Sequence, residues 1–155
     1  AKNEGGRDAF SITLIKRAGA ITHFTARFDV LGTLDRTVEY LREPAVSRRA
    51  VYSTLEWLKD LPDPVPHEML GSLLDWQLRR QCGRKSVWQL HDVPGLAHDL
   101  AHCACGEKAP REWLRDLLLT AEFLAREIRS KPAGTERPPQ DNTDADPDGK
   151  GDTAA

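Results

Sequence analysis

Residues 10–28 alternate between apolar and polar side chains on both sides of Gly19, and this pattern predicts two antiparallel strands joined by a tight turn. A three-residue loop, Arg17 to Gly19, collects the apolar side chains on one face, whereas a two-residue loop mixes the faces. The three-residue loop also puts Gly19 at the position where a type I turn with a bulge requires a left-handed backbone. The apolar face then contains Phe10, Ile12, Leu14, Phe24, Ala26 and Phe28, and the other face contains Ser11, Thr13, His23, Thr25 and Arg27, with Ile15 and Ile21 paired near the turn.

From residue 33 to 131 apolar side chains recur at helical spacing, which predicts about six helices. The clearest is 110–131, where one apolar stripe contains Trp113, Leu114, Leu117, Leu118, Ala121, Leu124, Ala125 and Ile128. The others are predicted at 33–42, about 44–61 with Pro44 in the first turn, about 66–83, a short helix from Ser86 that ends before Pro94, and 94–105. Ser86 and Gln89 have capping-box spacing. A lone hairpin is unstable in water, so it must pack on these helices. The predicted fold class is α+β, predominantly helical, with an N-terminal β-hairpin.

The 155 residues suit a single domain. We predict a flexible N-terminus (1–9), one globular domain (10–131, with the hairpin at 10–28 and the helical part at 33–131) and a disordered acidic tail (132–155). The tail contains two basic and six acidic side chains, a net charge of −4, and the 20 basic and 18 acidic residues of 1–131 leave +2. A body with so little net charge does not require a nucleic-acid partner, although a local patch can bind one.

The cysteines point to a reducing compartment. Cys82, Cys103 and Cys105 are odd in number, and a single residue separates the last two, which makes a poor disulfide framework. No apolar run approaches the roughly 20 residues that cross a bilayer, and residues 1–8 lack the basic-then-apolar layout of a signal peptide. We therefore expect a cytoplasmic protein with no membrane partner.

A basic stretch is the first candidate site. It contains Arg79, Arg80, Arg84 and Lys85, and no acidic residue occurs between positions 75 and 92. Cations on an exposed helix end contact phosphates, and Trp88 beside them is suited to stacking. We predict a nucleic-acid site at these five residues. The alternative is that cations near a helix C-terminus only complement its dipole, which explains Arg79 and Arg80 better than Arg84 and Lys85.

A cluster of possible metal ligands is the second candidate site. His98, His102 and Cys105 lie at positions i, i+4 and i+7 of a predicted helix, close enough to converge on a zinc ion, and Cys82 or His91 is a possible fourth ligand. Structural zinc sites usually show two separated ligand pairs, and only one cluster is present here. The alternative is a helix whose histidines are partly exposed and whose apolar residues pack in the core. No other cofactor is expected.

Two tryptophans and the hairpin edge suggest a protein partner. Trp57 and Trp76 lie beside the apolar stripes of their predicted helices, either at the rim of the core or on a protein interface. Without a third strand, the edges of the hairpin are open to a partner or to a second copy of the chain. A protein partner or a homodimer is therefore the main alternative to nucleic acid.

Known catalytic motifs are incomplete in this sequence. His67 and Glu68 begin a zinc-protease motif, but Gly71 occupies the position of its second histidine. The segment 83–86 resembles a phosphate loop without the upstream glycine or a preceding strand. We expect a small non-enzymatic accessory or regulatory protein, with nucleic acid as the first partner to test, then a protein-interaction or inhibitor module, then a zinc-binding protein.

Overall fold

The computed structural model describes residues 8–130. Within that range the chain forms a two-stranded antiparallel sheet and six α-helices, which confirms the predicted α+β, mainly helical fold. The strands are β1 (Ala9–Ile15) and β2 (Ile21–Arg27), and the helices are α1 (Leu31–Arg42), α2 (Ala50–Leu58), α3 (His67–Gln81), α4 (Lys85–Leu90), α5 (Val93–Cys105) and α6 (Pro110–Ser130). Residues 1–7 of the predicted flexible N-terminus (1–9) and the whole predicted tail (132–155) lie outside the described residues.

The hairpin has the predicted register. Phe10 pairs with Ala26, Ile12 with Phe24, Leu14 with Thr22 and Ile15 with Ile21. The backbone amide of Lys16 donates to the carbonyl of Ala20 over 2.9 Å, so the loop between them has three residues. Gly19 has a φ of 81°, the left-handed conformation that the alternation of the strands required at this position.

The apolar face of the hairpin packs against α6. The ring centroid of Phe24 lies 5.5 Å from that of Trp113, and that of Phe10 lies 6.0 Å from Phe24. On the opposite face, the hydroxyls of Ser11 and Thr25 are 2.5 Å apart. The helices therefore cover one side of the sheet, as is usual for antiparallel strands with alternating polarity.

Helix α5 lies in the core of the helical part. Its side chains at positions 96, 97, 100, 101 and 104 are all fully buried, mostly against α3. Small residues permit this close approach, since a Cβ added at Gly71 of α3 would lie 3.7 Å from the Cβ of Ala101. The hydroxyl of Tyr40 in α1 donates to the backbone carbonyl of Leu78 in α3 over 2.6 Å. These contacts fix α3, whose C-terminal end carries the predicted basic stretch.

Three helix starts differ clearly from the sequence expectation. Helix α2 begins at Ala50, so the prediction that Pro44 lies in its first turn is wrong. Helix α4 begins at Lys85 with Arg84 as its N-cap residue and without a side-chain cap, so the capping box expected from Ser86 is wrong. Helix α5 begins at Val93, and its cap is Asp92, whose side chain accepts a hydrogen bond from the amide of Gly95 over 3.3 Å. Asp92 has a φ of 43°, a left-handed conformation that aspartate tolerates better than most residues.

Candidate nucleic-acid interface

Two of the five residues predicted to contact nucleic acid make contacts within the fold. Arg79 Nε donates to Asp75 Oδ1 over 2.8 Å, and its guanidinium lies 5.4 Å from the ring centroid of Trp88. Trp88 is half-buried, and its indole N–H donates to the carbonyl of Cys82 over 2.6 Å. Both side chains therefore help to hold the turn between α3 and α4.

The other three predicted residues are exposed cations on either side of the same turn. Arg80 lies in the last turn of α3, Arg84 is the N-cap residue of α4, and Lys85 is its first residue. All three side chains are exposed. The guanidinium of Arg80 lies 5.1 Å from the ring centroid of Trp76, which is 54% exposed, so a cation and an aromatic face are available together.

A second basic segment lies against the end of α3. The backbone amide of Ser47 donates to the carbonyl of Gln81 over 3.0 Å, and Gln81 Nε2 donates to Ser53 Oγ over 3.2 Å. These bonds hold the loop before α2 beside the C-terminal end of α3. The loop carries Arg48 and Arg49, both of them exposed. We call the surface formed by Arg48, Arg49, Arg80, Arg84 and Lys85 the basic corner.

The cations of the basic corner have no ion pair within residues 8–130, where none of them lies within 4 Å of a carboxylate oxygen. Many other cations of the domain are paired. On the helices, Arg42 contacts Glu39, Lys59 contacts Glu56, Arg79 contacts Asp75 and Arg126 contacts Glu122. Unpaired cations remain free to contact an external anion.

Helix dipoles do not explain why these cations are where they are. Arg48 and Arg49 immediately precede α2, and Arg84 and Lys85 lie at the start of α4. A cation is favourable at the C-terminal end of a helix and unfavourable at its N-terminal end. Only Arg80, at the end of α3, complements a dipole, so the dipole alternative fails for the other four.

The two tryptophans of the predicted protein interface line one groove between α2 and α3. The groove has a volume of about 410 Å³, and its walls include Trp57, Leu73, Trp76 and Arg80. The indole nitrogen of Trp57 is buried and has no hydrogen-bond partner among the described residues. The two predicted surfaces, basic and aromatic, therefore meet at Arg80.

Two of the three predicted metal ligands, His98 and His102, lie on one face of α5 and contact His67 at the start of α3. The ring centroids of His98 and His102 are 6.3 Å apart, and that of His67 lies 5.1 Å from His98 and 5.8 Å from His102. The thiol of Cys105 is instead directed to the carbonyl of Val65, at 3.8 Å. Over residues 8–130, no group of three or more histidine, cysteine or acidic side chains is arranged to hold a metal ion. The zinc site stays a prediction, without support from this geometry.

The thiols of Cys103 and Cys105, on the same helix as His98 and His102, lie in surroundings that disfavour the thiolate form. Burial raises the pKa of Cys103 and of Cys105 above that of an ordinary thiol. A nucleophilic cysteine needs a lowered pKa, which usually comes from a nearby cation or a helix N-terminus. The environment of these thiols therefore works against nucleophilic catalysis.

The sequence analysis did not include Arg48 and Arg49 in the site, although a local signal was available. Each paired helix cation named above has a carboxylate three or four residues earlier in the chain. None of the five cations of the basic corner has an acidic residue three or four positions away. Lys16 and Arg17 also lack such a partner, so this signal marks Arg48 and Arg49 as candidates without singling them out.

No model of a known protein family matches this sequence, and comparisons with curated proteins and with solved structures give no match either. Among the described residues, each helix is too short or too polar to cross a membrane.

Proposed function

We propose that this chain is a small non-enzymatic accessory protein that binds the phosphate backbone of nucleic acid through the basic corner. The observation that carries the proposal is the grouping of Arg48, Arg49, Arg80, Arg84 and Lys85, which are exposed and have no ion pair within residues 8–130. Phosphate contacts by arginine and lysine supply most of the affinity of non-specific binding. The free thiols of Cys82, Cys103 and Cys105 agree with a cytoplasmic setting.

The position of the cations supports an external ligand. Unpaired positive charges at the starts of α2 and α4 gain nothing from the helix dipoles and repel one another, so folding alone gives no reason to group them. A bound polyanion would relieve the unfavourable interaction with the helix dipoles and the repulsion between the cations, because each phosphate contact neutralises a positive charge. Trp76, exposed beside Arg80, offers a face on which an unpaired base can stack.

The test is a mobility-shift titration of the full chain with generic duplex DNA and RNA at low salt. We expect the double variant Arg84→Glu/Lys85→Glu to bind at least tenfold more weakly than the wild type. The matched control is Lys16→Glu/Arg17→Glu at the hairpin turn, where Arg17 is exposed and Lys16 is half-buried. It makes the same change of charge and should alter the affinity less than threefold. Equal losses in the two variants would show only an effect of net charge. No binding by either the wild type or a chain carrying Asp141→Asn, Asp144→Asn, Asp146→Asn and Asp148→Asn would end the proposal.

A second candidate is a protein-interaction module that uses the groove between α2 and α3. The groove is lined by Trp57, Leu73 and Trp76, and Trp76 is 54% exposed, which favours a peptide with an apolar anchor side chain. An acidic side chain on that peptide would face Arg80. We expect Trp76→Ala to reduce recovery of such a partner at 0.3 M salt while Arg84→Glu/Lys85→Glu leaves it unchanged. A partner retained equally by both variants would contradict this candidate.

A further inference from the structure

The C-terminal turns of α6 lie beside the basic corner. A groove of about 490 Å³ has Arg48 and Ser47 on one wall and Ala125 and Arg126 on another. Helix α6 ends at Ser130, about one turn beyond Arg126, so the described part of the chain ends near the loop that carries Arg48. The acidic segment of the sequence therefore begins within a few residues of a helix end that lies near the basic corner.

Charge and length both match an interaction in cis. Residues 132–155 carry six acidic and two basic side chains, and Asp141, Asp144, Asp146 and Asp148 fall within eight positions. Asp141 is eleven residues past Ser130, and an extended chain of that length reaches about 36 Å. A domain of this size is roughly 35 Å across, judged from its expected radius of gyration of about 14 Å. The acidic residues can therefore reach every cation of the basic corner.

We propose that the acidic segment 132–155 binds the basic corner in cis and competes there with nucleic acid. A tethered ligand acts at an effective concentration of about a millimolar, so even weak contacts occupy the surface when no competitor is present. The competition rests on the proposed function, but the contact between the segment and the corner does not. Occupancy by the segment reduces the apparent affinity for nucleic acid in proportion to the fraction of open molecules.

The contact itself is tested by zero-length carbodiimide crosslinking of the full chain, followed by mass spectrometry. Lys85 is the lysine of the basic corner. The controls are Lys108, which is exposed, and Lys16, which is half-buried; neither has an ion pair among the described residues. We expect carboxylates of 132–155 to couple to Lys85 in a monomeric product, at least fivefold more than to either control, and to lose this preference at 0.5 M salt. Equal coupling to all three lysines, or coupling only in a crosslinked dimer, would overturn the proposal.

The competition is tested with four charge-neutralising changes, Asp141→Asn, Asp144→Asn, Asp146→Asn and Asp148→Asn, made together in the full chain. This variant should bind duplex DNA or RNA at least fivefold more tightly than the wild type at 50 mM salt. The matched control neutralises four exposed acidic residues of the body, Asp8, Asp35, Glu68 and Glu107. It should change the affinity less than twofold, and an equal gain in both variants would contradict competition in cis.

The two tests separate this inference from the proposed function. Specific coupling at Lys85 with no nucleic-acid binding by any variant would support the contact in cis and end the proposed function. Nucleic-acid binding that needs the basic corner, together with equal coupling at the three lysines, would keep the proposed function and overturn the contact in cis.

Discussion

The backbone amide of Ser47 donates a hydrogen bond to the carbonyl of Gln81 over 3.0 Å, and this bond joins two basic segments that are more than thirty residues apart in the chain. Arg48 and Arg49 follow the donor, and Arg84 and Lys85 follow the acceptor. The basic corner is therefore a property of the fold, since neither segment alone presents more than part of it.

Reversing the charge of the loop before α2 should weaken nucleic-acid binding as much as reversing the charge at α4. We expect Arg48→Glu/Arg49→Glu to bind duplex DNA or RNA at least tenfold more weakly than the wild type, because both segments contact one phosphate backbone. Fluorescence anisotropy at low salt measures the effect. Wild-type affinity in this variant would restrict the site to the turn between α3 and α4.

Arg84→Asp should have opposite effects on stability and on binding. Arg84 is the N-cap residue of α4 and has an extended backbone, with φ −112° and ψ 113°, but no side-chain cap. An aspartate there can accept a hydrogen bond from the helix and complement its dipole, which stabilises the fold by about 0.5–1.5 kcal/mol. Thermal unfolding should show the gain in stability, and fluorescence anisotropy should show the loss of nucleic-acid affinity. A variant that is more stable and binds as well as the wild type would contradict a functional role for Arg84.

The cap of α5 is expected to depend on the side chain of Asp92. Asp92→Ala removes the acceptor of the Gly95 amide and puts alanine in a left-handed conformation, so we expect a loss of about 1–3 kcal/mol in the free energy of unfolding. Asp92→Asn keeps an acceptor and tolerates the same backbone, and it should cost less than about 1 kcal/mol. Urea unfolding distinguishes the two, and equal losses would mean that the ion pair with Arg36, not the cap, is what matters.

Tyr40 should make stability depend on alkaline pH. Burial raises the pKa of its hydroxyl above that of a free tyrosine, which is about 10. The unfolded chain therefore releases this proton first, and the free energy of unfolding falls as the pH rises above about 10. Tyr40→Phe also loses the hydrogen bond to Leu78, at a cost of about 0.5–1.5 kcal/mol at neutral pH. Its stability should fall less steeply between pH 9 and 11, and parallel curves would contradict this assignment.

The elements that the sequence predicted well are those that local patterns determine. The hairpin register follows from the two-residue period of the strands and from the need for a left-handed residue at Gly19. The stripe of α6 follows from helical spacing, and Leu114, Leu117 and Leu118 are buried as expected.

The features that the sequence did not predict depend on contacts distant in the chain or on competing local signals. Ser86 and Gln89 offered the spacing of a capping box, but α4 begins one residue earlier, with Arg84 as its N-cap residue. Arg48 and Arg49 join the site through the bond between Ser47 and Gln81, a contact between distant segments that the local spacing of acidic residues does not reveal. His67 joins His98 and His102 because α3 packs on α5.

The salt dependence of nucleic-acid affinity tests the central claim most directly. We would titrate the full chain into fluorescent duplex DNA and RNA by anisotropy at salt concentrations from 50 to 200 mM. Release of counterions from several phosphates should give a slope of about −2 or steeper when the logarithm of the association constant is plotted against that of the salt concentration. Arg84→Glu/Lys85→Glu should flatten this slope by about 1–2, and Lys16→Glu/Arg17→Glu should leave it unchanged. Affinity independent of salt, or no binding at 50 mM, would contradict nucleic-acid recognition by the basic corner.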